Sequence, residues 1–537
     1  MDEFDYIVIG AGSAGCAVAA RLSEESSVRV ALVEAGPPDS HRVFEIPALF
    51  GQQQKSAFDW DLETEPEPAL GGRRTYLPRG RVLGGTSSMN TMVYTRGNAA
   101  DYDEWAASGC EGWSYEEVLP FFRRSEDNER GESRYHGIGG PLAVSDARSV
   151  PPLLQAWVEA ARETGHPRNN DFNGPTQDGV GLYQMTQRNG MRCSSATAFI
   201  APAHERENLR VLTSTQALRI IWSGKRGAGV EVDHEGVKRE LRAAREIVLS
   251  AGAYLSPQLL MLSGVGPADH LRAVGIEPLV DNPQVGANLQ DHPGCFLSYL
   301  AQRSDGTAVD TPANEERLRR HGDGPLTWTE AGLFARTRGD LEAPDLQFHS
   351  AMGVFADEGL ADSAEAALSF GPYVTRPRSR GRVWLRSRLP HAKPRILHNY
   401  LDHRDDLRDL REGVRMAMRI AAQPALVSEL QDARRSSEAG LIPRSDSDGD
   451  IDDFMRRTGG RTKRPCGTCA MGSVVDSELR VRGVESVRVA DVSVMPTLIR
   501  GNTNAPAIMI GERLADQMTA GSTRTRRSEH VAQTTTR

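Results

Sequence analysis

The feature that most constrains this chain lies in its first 36 residues. Tyr6-Ile7-Val8-Ile9 is a short apolar run that reads as a buried parallel strand, and it leads into Gly10-Ala11-Gly12-Ser13-Ala14-Gly15. An alanine-rich stretch from Cys16 to Leu22 has helical spacing. Val28-Arg29-Val30-Ala31-Leu32-Val33 then forms a second strand, closed by Glu34-Ala35-Gly36. Together these make a β-turn-α-β unit of the length that cradles a dinucleotide. Gly10 permits the tight turn, Gly12 lets the backbone approach a pyrophosphate, and Gly15 lets the helix pack close to the strand. The helix N-terminus, at Ser13 and Ala14, offers unpaired N–H groups and a positive dipole end to phosphates. Glu34 ends the second strand, where an acid accepts hydrogen bonds from ribose hydroxyls and disfavours a 2′-phosphate. The unit predicts dinucleotide binding, without separating FAD from NAD.

A chain of 537 residues is more than one core usually serves, so at least two domains are expected. The 64 Lys and Arg against 72 Asp and Glu leave a formal charge of −8, which gives no electrostatic case for nucleic acid or anionic lipid. Six cysteines in so long a chain cannot form a disulfide framework, and a reducing compartment follows. The start, Met1-Asp2-Glu3-Phe4-Asp5, is acidic where an export signal is basic. Apolar runs are strand-sized, short of the ~20 residues a membrane span needs. The expectation is a cytoplasmic enzyme with a small-molecule substrate and no membrane or nucleic-acid partner. No feature sets an oligomeric state.

Further along, Glu246 to Leu249 reads as another strand leading into the turn at Gly252, and Ser256-Pro257 opens an apolar helix through Leu262. Between about 300 and 460 the pattern changes. Asp345-Leu346-Gln347-Phe348-His349 and Arg382-Val383-Trp384-Leu385 alternate as antiparallel strands do, and a charged helical stretch runs from Asp402 to Arg435. From Val487 the chain again resembles its beginning, with Pro506 as a first-turn residue of a helix running to about Met518. The fold expected is an α/β FAD-binding Rossmann-like domain, discontinuous over 1–150, 190–300 and 465–519. An α+β substrate-binding domain with an antiparallel sheet is inserted over 151–189 and 301–464. The Ser/Thr/Arg-rich tail, 520–537, has the composition of a disordered segment.

Five segments together resemble the glucose-methanol-choline oxidoreductases, flavoenzymes that oxidise alcohols. They are the nucleotide unit; Gly80 to Tyr94 with Arg96-Gly97; Gly252 to Pro267; Pro465-Cys466-Gly467-Thr468-Cys469-Ala470-Met471-Gly472; and Asp491 to Pro496 with Asn502 to Pro506. The resemblance spans about residues 4 to 518. It implies FAD, with Gly84, Gly85, Asn90, Met92 and Val93 along the flavin, and Asp491 near the pyrophosphate or ribityl chain. The helix opening at Ala505-Pro506, just after Asn504, would point its N-terminus at the pyrimidine edge of the ring, where reduction places negative charge. Some members carry the flavin covalently on a His that corresponds to Met89. A thioether cannot form that bond, so non-covalent FAD is expected.

One position departs from the pattern. The fourth segment of the family usually begins His-Pro, and that His takes the alcohol proton; here the residue is Arg464. A guanidinium stays protonated and cannot act as a general base, but it can hold a carboxylate or stabilise an alkoxide. It can also simply pair with an acidic neighbour. The second catalytic place matches Asn502, a hydrogen-bonding partner for the substrate oxygen. A family member that oxidises choline has an active-site His where this chain has His349, which makes His349 the candidate base; otherwise it is a strand histidine lining the cavity. The C-x-x-C of Cys466 and Cys469 has no second ligand pair, so no metal is expected, and the two read as small buried residues. Three readings remain: an alcohol oxidase or dehydrogenase using Arg464, Asn502 and His349; a decarboxylase- or lyase-like flavoenzyme with Arg464 anchoring a carboxylate; and a catalytically silent flavin-binding protein.

Overall fold

The structure, a computed structural model, describes residues 2–303, 309–355, 360, 365–460 and 463–534, with side chains as far as Thr519. Its first sheet has seven strands. Leu209–Leu212, Val30–Val33, Asp2–Ile9 and Val237–Leu249 lie side by side in parallel, and Val487–Val489 pairs parallel to the last of them. Arg226–His234 and Thr215–Ser223 extend the sheet antiparallel beyond Val237–Leu249. The central strands are continuous apolar runs, buried from Tyr6 to Ile9 and from Val30 to Val33, as a parallel sheet covered on both faces requires.

The register sets the site. Ile9 pairs with Val33 and with Leu249, Val33 with Leu212, and Leu249 with Val489, so five parallel strands end at one level. The loops holding Gly10, Glu34, Ser250 and Asp491 therefore leave the sheet along a single rim, the carboxyl edge where such folds bind ligands.

The second sheet is antiparallel, in the order Leu297–Leu300, Ala367–Val374, Leu346–Met352, Ala331–Ala335, Gly179–Leu182. Side chains alternate along the middle strand. Leu346 and Phe348 face a core shared with the helices Pro152–Glu163 and Arg404–Ala421, while Gln347 and His349 face the first sheet's rim. Leu297–Leu300 hydrogen-bonds to Ala367–Val374, so the passage into this sheet comes just before Leu297 rather than at 301. The final helix spans Asn504–Thr534, and the tail expected to be disordered, 520–537, lies outside the residues whose side chains are described.

One helix begins earlier than the sequence suggests. It spans Gly252–Leu262, with Pro257 inside it. Proline lacks the N–H that would reach the carbonyl four residues back. That carbonyl, on Ala253, accepts instead from the Thr468 hydroxyl at 2.6 Å. The Pro465 to Gly472 segment thus completes a helix more than 200 residues away in sequence, a bond of about 1 kcal/mol.

Candidate active site

A cavity of about 970 Å³ runs along the rim and on beneath the antiparallel sheet. In its first arm, Gly10, Gly12, Ser13, Ala14, Glu34 and Asp491 form the wall. No side chain caps the helix Ser13–Leu22, so its first N–H groups face the cavity as donors. A Cβ on Gly12 would meet nothing closer than 3.9 Å, leaving the backbone open to a ligand. On Gly15 it would lie 1.9 Å from the Gly10 carbonyl, so that glycine serves helix–strand packing. Glu34 accepts from the backbone N–H of Ala11 at 3.0 Å and of Gly36 at 2.8 Å. Burial pushes its carboxyl up to about 7, and a ligand hydroxyl donating to it would offset that cost. An elongated cavity with an uncapped helix end and a buried acceptor acid fits the adenosine and pyrophosphate of a dinucleotide.

The middle of the cavity is lined by Gly85, Met89, Asn90, Met92 and Val93. Asn90 is held by Arg192, whose Nη1 donates to the Asn90 carbonyl at 2.7 Å and to its Oδ1 at 3.1 Å. The final helix starts here too: the Ser13 hydroxyl donates to Asn504 Oδ1 at 2.6 Å, bringing two helix N-termini to one place. Asp491 accepts from Gly252 N, Ser256 Oγ and Ser493 N, so its carboxylate mainly fastens neighbouring turns. Of the residues expected at the cofactor, Gly15, Gly84 and Ala505 do not line the cavity. Gly84 turns at φ +89 against Ser88, and Ala505 packs into the core.

The second arm brings His349, Arg464 and Asn502 together. Arg464 Nη2 donates to His349 Nε2 at 2.7 Å, and Nη1 donates to Gln347 Oε1 at 3.0 Å and lies 3.5 Å from His292 Nδ1. Gln347 Nε2 continues to Asn502 Oδ1 at 3.0 Å, and Thr95 Oγ1 donates to the same oxygen at 3.3 Å. Asn502 Oδ1 is thus occupied, which leaves the Nδ2 amide as its donor toward the cavity. His349 Nδ1 meets Glu330 Oε2 at 2.5 Å. A carboxylate on one ring nitrogen and a guanidinium donor on the other assign the proton to Nδ1.

The charges follow from burial. It pulls His349 below its ordinary value; Glu330 opposes this and the Arg464 cation adds to it, so the imidazole is neutral. Burial works against the Glu330 carboxylate, but its contacts with His349, Trp328 and Thr91 outweigh it and keep the group ionised. Arg464 is lowered by burial as well. Among the described residues no carboxylate lies within ion-pair distance of its guanidinium; the acid it touches, Asp291, accepts from its backbone N–H at 2.8 Å. His292, read from sequence as structural, belongs to the guanidinium's shell, and burial with the Arg464 charge pushes it down to about 3. Glu330, Gln347 and Tyr183, whose hydroxyl donates to Phe348 O, are not among the site residues expected from sequence. Cys466 and Cys469 are buried, with both thiols pushed up by burial and so inert as nucleophiles.

A dinucleotide cleft on a parallel rim, facing a polar cluster under an antiparallel sheet, defines an oxidoreductase built from a nucleotide-binding and a substrate-binding domain. Comparison gives the family. The GMC oxidoreductase models match residues 4–294 and 377–511, and the chain belongs to that family, with its FAD-binding and substrate-binding domains. It is 43% identical over 533 residues to an uncharacterised GMC-type oxidoreductase of Mycobacterium tuberculosis, covering 96% of this chain and 99% of the relative. It is 39% identical over 530 residues to an oxygen-dependent choline dehydrogenase of Brucella ovis, covering 96% and 95%. Among solved structures, pyridoxine 4-oxidase from Mesorbium loti superposes with a TM-score of 0.85 at 31% identity, covering 96% of this chain and 99% of that one. Among the described residues no helix is long and apolar enough to cross a membrane.

Proposed function

We propose that this protein oxidises an alcohol, a CH–OH donor, to a carbonyl, with non-covalent FAD, Met89 standing where an attachment point would be needed. Bound FAD supplies the hydride acceptor. The observation that carries the reading is Glu330–His349–Arg464: a neutral imidazole, held by a carboxylate on one nitrogen, presents its other nitrogen to a buried cation inside the cavity. A substrate hydroxyl entering here gives its proton to His349 Nε2, and Glu330 stabilises the resulting imidazolium. Arg464 Nη2 gives up its hydrogen bond to that nitrogen as the proton arrives and donates instead to the forming alkoxide oxygen. A donor that gains an anionic acceptor only as charge develops favours the transition state over the ground state. Asn502 Nδ2 is the second donor to that oxygen.

The carboxylate-anchor reading is less well supported. It leaves the neutral imidazole held by Glu330 without a part in the reaction, whereas an alcohol uses that nitrogen as its base; the guanidinium itself keeps N–H groups for either ligand. The reading retains the domain division expected from sequence, with the switch moved to before Leu297. It retains a cytoplasmic setting, suited to six buried free thiols.

Anaerobic mixing with a panel of alcohols tests it: a substrate bleaches the flavin. His349→Asn should keep its flavin yet slow that bleaching about 10²- to 10⁴-fold. Arg464→His separates the readings, since alcohol oxidation survives it if His can take over the proton, whereas a carboxylate reaction collapses. If no alcohol or aldehyde reduces the flavin, the proposal is wrong.

A further inference from the structure

Four rings line the substrate arm, those of His349, Tyr373, Phe296 and Phe355, and Trp328 closes the circuit behind them. His349 meets Tyr373 at 5.5 Å, Tyr373 meets Phe296 at 5.7 Å, Phe296 stacks on Phe355 at 5.3 Å, and Phe355 reaches Trp328 at 6.5 Å. Trp328 Nε1 donates to Glu330 Oε1 at 2.8 Å, and Glu330 returns the circuit to His349. A collar of aromatic faces accepts either a quaternary ammonium, through cation–π attraction, or a neutral apolar group. Shape does not choose between them; charge does.

The acid that would draw a cation into the collar is Glu330; it keeps its charge, but its two oxygens are turned onto His349 Nδ1 and Trp328 Nε1, so a cation in the chamber meets those rings rather than the carboxylate. Elsewhere on the cavity wall, Asp59 accepts from the Tyr76 hydroxyl and from backbone N–H groups, and Asp61 pairs with Lys55 and Lys393. Against these stands Arg464, a buried cation in the collar with no carboxylate in ion-pair contact among the described residues. Its Cζ lies 5.3 Å from the Tyr373 ring centre, so one aromatic face already carries a cation. A second positive charge entering the chamber would meet that guanidinium in a low-dielectric, ring-lined space, where repulsion is strongest.

We propose that the chamber selects alcohols whose non-reacting end is uncharged and apolar or aromatic, and that Arg464 is the specificity-determining residue that turns cationic alcohols away. This rests on the alcohol-oxidation reading for the reaction, but not for the binding preference.

The test uses a matched pair that differs only in charge: choline and 3,3-dimethylbutan-1-ol, in which carbon replaces the quaternary nitrogen. Benzyl alcohol serves as an aromatic third. With the FAD-loaded protein under anaerobic conditions, the neutral isostere and benzyl alcohol are expected to reduce the flavin with about 100-fold higher efficiency than choline. Arg464→Gln should bring the ratio of dissociation constants for the pair toward one, read from the perturbed flavin spectrum or from thermal shift. Arg464→Lys, which keeps the charge, should preserve the preference. Choline reducing the flavin as well as its neutral isostere overturns the proposal. If no alcohol reduces the flavin, the reaction assignment falls while binding still decides: a tighter neutral isostere supports charge selection, and equal or tighter choline binding overturns it. Should a variant fail to hold flavin, the native protein's response to the pair decides alone.

Discussion

Among the described residues, two buried clusters of arginine, histidine and glutamate differ by one carboxylate. In the first, Arg96 and His136 share Glu126, and the other nitrogen of His136 lies 2.9 Å from Asp171. In the second, His349 meets Glu330 on one nitrogen and Arg464 on the other. Burial alone would depress both imidazoles. Asp171 and Glu126 overcome it at His136 and hold that ring up at about 9, whereas His349 is drawn down. In each cluster the formal charges sum to zero: two cations with two acids, or one cation, one acid and a neutral ring. The second acid therefore decides the protonation state. His136 uses both nitrogens to tie the loop before Gly137 to Asp171, and has no lone pair to offer. His349 keeps one, turned toward a guanidinium inside the cavity.

That contrast can be broken from either side, and the largest effect is expected at Glu330. Glu330→Gln removes the carboxylate that sets the tautomer of His349 and stabilises its protonated form. Flavin reduction by substrate should slow about 10³-fold, as expected when an orienting carboxylate is lost from a histidine base. The acid limb of the pH–rate profile should also move to lower pH, because losing a negative neighbour lowers the imidazole's value further. An unchanged profile in a slowed variant would mean that Glu330 serves structure alone.

The second effect belongs to the other cluster. His136 is raised from its ordinary value to about 9, so it binds a proton more tightly in the folded state than in the unfolded one. The stability this contributes is fully present below about 6.5 and is lost as pH rises through 9. From the size of the shift it is roughly 3 kcal/mol. Thermal melts of the native protein should show the decline across that window, and His136→Gln should flatten it. Turnover per bound flavin should stay unchanged. If His136→Gln altered the pH dependence of turnover instead, the two clusters would not be as separate as their contacts imply.

The two arms of the cavity were unequally legible, for a physical reason. The nucleotide arm is made of backbone: a glycine turn, a helix end and strand ends in register, all within a contiguous unit whose spacing is visible in Gly10 to Glu34. The substrate arm is made of side chains that meet only in three dimensions, from positions 183, 330, 347, 349, 373, 464 and 502. Arg464, Asn502 and His349 were reachable by resemblance, but their mutual contacts were not. Glu330 left one trace, as the sole charge in the run Leu326-Thr327-Trp328-Thr329-Glu330-Ala331-Gly332-Leu333-Phe334-Ala335. An ionisable residue at the mouth of so apolar a strand has to find a partner. The early start of the helix at Gly252 was hidden because Pro257 reads as a first-turn residue, and the Thr468 hydroxyl that excuses its interior place lies far along the chain.

The smallest effect is expected in the legible arm, and it sharpens the comparison by asking what a buried acid does without a cation. Among the described residues Glu34 has backbone donors but no ion pair, and burial holds it at about 7 where His136 and Glu126 hold each other charged. A carboxyl raised in the folded state costs the flavin-free protein stability as pH rises from its unfolded value through 7. Ribose hydroxyls donating to Glu34 favour the ionised form, so FAD binding should lower its value and the affinity should weaken as pH falls below 7. Glu34→Gln removes the charge but keeps an acceptor. FAD should then bind about 5-fold more weakly at pH 8, the difference between a charge-assisted and a neutral hydrogen bond. Its affinity should no longer change between pH 5 and 8. Equilibrium titration of flavin-free protein across that range reads both; a slope that persists in the variant would move the titrating group elsewhere in the rim and leave Glu34 as an acceptor whose charge is immaterial.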